Sequence, residues 1–193
     1  MGLAKSRSSA SSASGFSLIE VLIATLLLAT ALTTLAQMFA LSTHTNMNAR
    51  NTTYTAVLAQ QKLEELRSLT WGFDTQGLPI SDTSSNTAVS PETPNGGTGL
   101  APSPGGSLGA NTDGYVDYIG ATGNKLGGGA APPANTVYVR RWSVEPLPSN
   151  PNNTLILQVL VVRNRDRGTA NDGAGRVMPD EARLVTVKTR KSQ

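Results

Sequence analysis

Residues Gly15–Leu41 read GFSLIEVLIATLLLATALTTLAQMFAL, and their reading decides how the rest of the chain is organised. From Val21 to Leu41 no residue is charged. As an α-helix, at a rise of about 1.5 Å per residue, that run would extend roughly 31 Å. The hydrocarbon core of a bilayer is about 30 Å thick. The stretch therefore reads as a membrane span carrying one acid, Glu20, near its start. Lys5 and Arg7 lie on the short N-terminal side, and the next charge beyond Glu20 is Arg50. The positive-inside bias keeps the N-terminus cytoplasmic and sends the remainder out.

Ser17 and Glu20 have the spacing of a helix capping box, and an acid in a first turn also suits the helix dipole. These effects contribute about 0.5–2 kcal/mol. An ionised acid within lipid costs ~2.5–3.5 kcal/mol. Capping thus explains an acid at the interface but not one held deep. Thr25, Ala29 and Thr33 recur every four residues, and Ala36 and Ala40 extend the stripe. Small residues on one face let helices approach closely in lipid. Three fates for the segment compete. A secretory signal peptide would have its core at Val21–Leu28 and Ala29-Thr30-Ala31 as the small-x-small cleavage site. A signal anchor would remain uncleaved. A leader ending at Gly15 would be cut before the apolar stretch and leave all of it in the mature chain.

Gly15-Phe16-Ser17-Leu18-Ile19-Glu20-Val21, behind a basic Ser/Ala-rich arm, resembles the processing signature of type IV prepilins and type II secretion pseudopilins. That signature is Gly, then Phe or Met, a hydroxyl residue, two aliphatics, Glu and an aliphatic, and every position matches. The resemblance implies cleavage between Gly15 and Phe16 by a prepilin peptidase, methylation of the new amino group on Phe16, and residence in the inner membrane with the head outside. It further implies incorporation into a filament of pilin subunits through the inner-membrane assembly platform. Glu20 would there form a salt bridge with the Phe16 amine of a neighbouring subunit. Ala59-Gln60-Gln61-Lys62-Leu63-Glu64-Glu65-Leu66-Arg67 is similar to a run in type IV pilus modification proteins, which are minor pilins, and in related minor pseudopilins. Residues 16–71 hold no proline and the chain has no cysteine, which sets it apart from major pilins. The resemblance covers about residues 10–71.

Beyond the span, Ala56, Ala59, Leu63 and Leu66 follow 3-4-3 spacing, so residues 42–71 are expected to continue the helix with an apolar face on a sheet. Glu64 and Arg67 lie one turn apart on its exposed side. One helix of about Ser17–Leu69 results, with Gly72 as its stop. Residues 72–135 are rich in Gly, Pro, Ser, Thr and Asn and are expected as a long, partly disordered surface loop with one strand at Tyr115–Ile119. Residues 136–193 hold three β-rich runs, Val137–Val144, Leu155–Val162 and Leu184–Thr189. The nearly all-apolar middle run is expected in the centre, covered on both faces. Val185 and Val187 face opposite Thr186 and Lys188, as in an edge strand. Arg140-Arg141 breaks the alternation of the first run, and a bulge would restore it. The fold class is α+β: a pilin-like long N-terminal helix packed on a small antiparallel β-meander, with residues 1–15 as leader and 16–41 as the membrane and assembly helix.

The net charge is +3, and without Lys5 and Arg7 it falls to +1, so a nucleic-acid partner is not expected. With 5% aromatic residues, 19 Gly and 11 Pro, the head must be loop-rich with a modest core. His44 is the sole histidine, in a polar segment, and is read as solvated. Asn164, Asp166, Asn171 and Asp172 could offer oxygen ligands to calcium, but their spacing is not that of an EF-hand loop and they read as turns. No nucleophile–base pair or phosphate loop appears, so no enzyme activity, metal or cofactor is expected. The expected function is that of a minor pilin in pilus assembly, initiation or modification. A secretion pseudopilin is the nearest alternative. A membrane-tethered binding module using loop 72–135 is the rival of a different class.

Overall fold

The computed structural model describes residues 15–164 and 181–191. One helix, α1 (Leu18–Ser68), spans 51 residues. The absence of Gly and Pro between Phe16 and Trp71 allows that length. It begins where the Glu20 and Val21 amides donate to the Ser17 carbonyl, at 3.0 and 3.2 Å. The Ser/Thr/Asn-rich segment 42–53, of low intrinsic helix propensity, is helical too. Its threonine hydroxyls are satisfied within the helix: Thr43 donates to the Phe39 carbonyl and Thr53 to that of Ala49, each at 2.9 Å.

The chain divides into two compact units, Met1–Asn46 and Met47–Gln193. Within the first, every described residue is exposed. An eighteen-residue window of α1 has a mean hydropathy of 2.2 with none of it buried, so this helix is long and apolar enough to cross a membrane.

The second unit contains the core. A two-stranded sheet pairs β1 (Trp71–Phe73) with β2 (Pro79–Ser81). A five-stranded antiparallel sheet contains β3 (Val116–Ile119), β4 (Lys125–Gly128), β5 (Tyr138–Pro146), β6 (Thr154–Arg163) and β7 (Ala182–Thr189), in the order β4-β3-β5-β6-β7. Leu58, Ala59, Leu63 and Leu66 of α1 pack on Tyr138, Trp142, Val144, Leu155, Leu157, Val159 and Val161. A smaller cluster of Val116, Tyr118, Val139 and Val162 lies on the opposite sheet face.

Several expectations change. The meander β5-β6-β7 exists, and its sheet is extended by β3, within the strand expected at Tyr115–Ile119, and by β4, formed from residues expected as loop. The rest of 72–135 is held in place mainly by polar side chains and backbone, with Ala88 and Leu100 joining the core. The Asp82 carboxylate accepts from the Ser84 and Ser85 amides and from the Ser85 hydroxyl. Leu100 is buried where its amide donates to the Asp82 carbonyl at 2.7 Å. The Tyr115 hydroxyl donates to the carbonyls of Ala101 and Pro102. Gly97 is required at its position, since a Cβ there would lie 2.3 Å from the Cα of Asn86.

β5 and β6 pair from Tyr138↔Arg163 to Pro146↔Leu155 without a register shift, so no bulge follows Arg140. The irregularity falls between Tyr118 and Ile119, against β4. Arg140 instead points into the core with its alternation intact. Ala56 is exposed, and Thr55, Leu58 and Lys62 complete the buried face of α1. β6 is an inner strand, but only one face is fully buried; Ile156, Gln158 and Leu160 on the other are half-buried. β7 is an edge strand whose Val185 and Val187 face outward.

Candidate functional site

Two features stand out, one in each unit. The first is the start of α1. Phe16 and Leu18 are more than four-fifths exposed, and a Cβ at Gly15 would have open space around it. Glu20 is exposed, and its carboxylate makes no hydrogen bond or ion pair with any described residue. The capping-box spacing therefore does not produce reciprocal side-chain capping; the helix is closed by backbone amides on Ser17. Thr25, Ala29 and Thr33 line one face, all exposed. The Thr25 hydroxyl donates to the Leu22 carbonyl at 3.0 Å, and that of Thr33 to Ala29 at 3.1 Å and Thr30 at 2.9 Å. Their polar atoms are satisfied internally, so the stripe can contact lipid or another helix without an unpaired hydroxyl.

The second feature is a buried charge cluster that the sequence reading did not anticipate. Lys62 and Asp117 are fully buried and Arg140 is 2% exposed. The Arg140 guanidinium holds Asp117 in a bidentate grip, Nε to Oδ1 at 2.8 Å and Nη2 to Oδ2 at 2.7 Å. Its Nη1 donates to the Leu58 carbonyl of α1 at 3.0 Å. The Lys62 ammonium lies 3.3 Å from Asp117, 3.2 Å from Glu65 and 3.7 Å from the centre of the Trp142 ring. It donates to the carbonyl and hydroxyl of Thr87, at 2.8 and 2.6 Å. Lys125 pairs with Glu65 and also donates to the Thr87 carbonyl at 2.8 Å. One cluster thus ties together α1, β3, β4, β5 and the coil around Thr87.

Burial pushes the Lys62 ammonium down from 10.5 to about 8. Arg140 and Lys125 act in the same direction, and Asp117 and Glu65 oppose them. The arrangement is a pin between layers: each carboxylate is already engaged by cations. The visible signals were an arginine inside the apolar alternation of β5 and a lysine on the buried face of α1. At the other end of α1, the Lys188 ammonium donates to the carbonyls of Leu66, Arg67 and Leu69. It neutralises the helix C-terminus, and burial lowers its pKa to about 8.

Compared with protein-family models, curated proteins and solved structures, the chain finds no match. Among the described residues no group of three or more His, Cys, Asp or Glu could hold a metal ion. Asp166, Asn171 and Asp172, considered for calcium, lie outside the described residues, as do Lys5 and Arg7. His44 lies on α1, exposed.

Proposed function

We propose that the chain is a type IV pilin-like subunit, a minor pilin of the pilus-modification kind, that enters a filament after removal of residues 1–15. The observation that carries this reading is the Gly15–Val21 signature at the head of a 51-residue helix whose apolar membrane-length part is wholly exposed. Such a surface needs lipid or other helices to cover it.

In the membrane, an ionised Glu20 would add ~2.5–3.5 kcal/mol to the insertion cost. In a filament, the Phe16 amine of a neighbour would offer it a counter-charge. The same residue then disfavours the lipid state and favours the assembled one, and it fixes the axial register between subunits. The small-residue face at Thr25, Ala29 and Thr33 allows the close approach that such pairing needs.

The test is Glu20→Ala, with membrane insertion and filament incorporation measured separately. Insertion should be retained and incorporation should fall at least tenfold. Undiminished incorporation would show that the pairing does not drive assembly.

A further inference from the structure

We propose that the free edge of β7, with the groove at its C-terminal end, takes up an extended acidic segment of another protein as an added strand. Nothing in this surface depends on the membrane helix or on filament assembly. β7 is the last strand of the five-stranded sheet and pairs only with β6 along Ala182–Thr189. The Arg190 amide donates to the Asn153 carbonyl at the end of β6, at 2.9 Å. The next amide, of Lys191, donates to the Trp71 carbonyl on the other side, at 3.4 Å. Backbone groups alternate in direction along a strand, so those of Arg183, Val185, Val187 and Thr189 point away from β6. None of the four makes a backbone hydrogen bond across that edge with a described residue. The strand has no Pro, Gly or register shift that would blunt the edge.

The groove lies where β7 meets the C-terminal end of α1 and the β1–β2 hairpin. It has a volume of about 540 Å³, and Trp71, Phe73, Ile80 and Val187 give it apolar walls. Its charged lining residues are Arg67, Lys188 and Lys191, with no acid among them. Arg67 is already paired with Glu64 at 3.1 Å. The wall is held in place by Arg190, which stacks on Trp71 at 3.7 Å and donates to the Gly72 and Ile80 carbonyls, at 3.0 and 2.8 Å.

Charge and side-chain direction select the occupant. From 181 to 191 four cations, Arg183, Lys188, Arg190 and Lys191, stand against one acid, Glu181. Burial lowers the Lys188 pKa, and the nearby Lys191 and Arg67 lower it further. An incoming carboxylate supplies the missing counter-charge. Side chains of an added strand lie beside those of β7. On the outer face its neighbours are Val185 and Val187, 57% and 56% exposed, which suit apolar residues. On the helix side, at the groove, its neighbour is Lys188, which suits an acid. The segment that fits therefore alternates acidic and apolar residues, with main-chain bonds supplying affinity and side chains specificity. A second copy of this chain does not offer such a strand. The opposite edge of its sheet, β4, reads Lys125-Leu126-Gly127-Gly128 and has no acid.

The experiment uses the full chain in non-ionic detergent micelles and a labelled eight-residue peptide of alternating glutamate and valine, followed by fluorescence anisotropy. The peptide should bind in the micromolar range. A lysine–valine peptide, and a glutamate–valine peptide N-methylated at alternate amides, should each bind at least tenfold more weakly. Val185→Pro removes an outward N–H that the β6 ladder does not use, and should weaken binding at least tenfold. Lys191→Glu, at an exposed position, should do the same without touching the ladder. Arg50→Gln, on α1, should bind as wild type does. An unchanged urea midpoint would confirm that each variant is folded. Absence of micromolar binding, or equal binding of the lysine peptide, the N-methylated peptide or Lys191→Glu, would overturn the added strand and leave the pilin reading untouched.

Discussion

Asp117→Asn is the substitution that most directly probes how the head is held together. The change keeps the side-chain shape and removes one charge. Among the described residues, Asp117 is the one anion contacting both Arg140, at 2.7 Å, and Lys62, at 3.3 Å, and all three are buried. Losing it leaves two cations without their shared counter-charge. Breaking a buried pair in this way costs about 3–5 kcal/mol. For a domain of this size each kcal/mol moves the melting temperature by roughly 2–4 °C, so the midpoint should fall by about 10 °C. Lys62→Met is the informative comparison. It leaves the bidentate Arg140–Asp117 pair in place and removes a cation whose burial is already disfavoured. It should cost less, about 2 kcal/mol, chiefly through the buried Thr87 hydroxyl that loses its partner, since the Thr87 carbonyl keeps its bond from Lys125. Urea unfolding of the full chain in detergent micelles, followed by fluorescence, reports on the head because Trp71 and Trp142 both lie there. A loss below about 1 kcal/mol for Asp117→Asn, or a larger loss for Lys62→Met, would refute this division of the cluster.

Stability of the head should rise with pH between neutrality and about pH 9.5. Lys62 has a folded value of about 8 against 10.5 when free, so the unfolded chain binds more protons across that window. The resulting gain is about 2 kcal/mol from pH 7 to 9.5. Lys188 is shifted the same way, and Tyr115 and Tyr118, both raised, oppose the trend only at still higher pH. Lys62→Met should remove the larger share of the rise. Lys188, equally shifted but much more exposed to solvent, should contribute a smaller, screened share that Lys188→Met removes. A pH profile unaltered by Lys62→Met would contradict the assignment. Gly97→Ala should destabilise by more than about 3 kcal/mol, because backbone atoms of Ser85 and Asn86 occupy the space of the added methyl. Thermal unfolding checks this, and a shift under about 2 °C would show that the coil around Asp82 can move aside.

Much of this architecture was legible in the residues, for identifiable reasons. The length of α1 follows from the lack of Gly and Pro between Phe16 and Trp71. β-Branched runs marked β5, β6 and β7, and the alternation in Ala182–Thr189 marked an edge. The stretch 72–135 was less legible, since its order comes from side-chain to backbone bonds such as those of Asp82, Asn86 and Tyr115, which leave no hydrophobic period. The buried cluster was hidden for a related reason. Lys62 falls on the apolar face with Ala59 and Leu66 but within a run of charged and polar residues, and only the fold brings it to Asp117, distant in sequence. Arg140 broke the apolar alternation, and the remedy lay in a charge partner rather than in a bulge. Glu20 is the reverse case: it is conspicuous in sequence, and among the described residues nothing pairs with it.

The N-terminus of the mature protein is the measurement closest to the central claim. Protein purified from membranes or filaments of its own cells should give an intact mass and an N-terminal sequence beginning at Phe16, with one added methyl group. An N-terminus still at Met1, or one created after Ala31, would contradict the account. Either would leave Glu20 without the neighbouring amine that the proposed pairing requires.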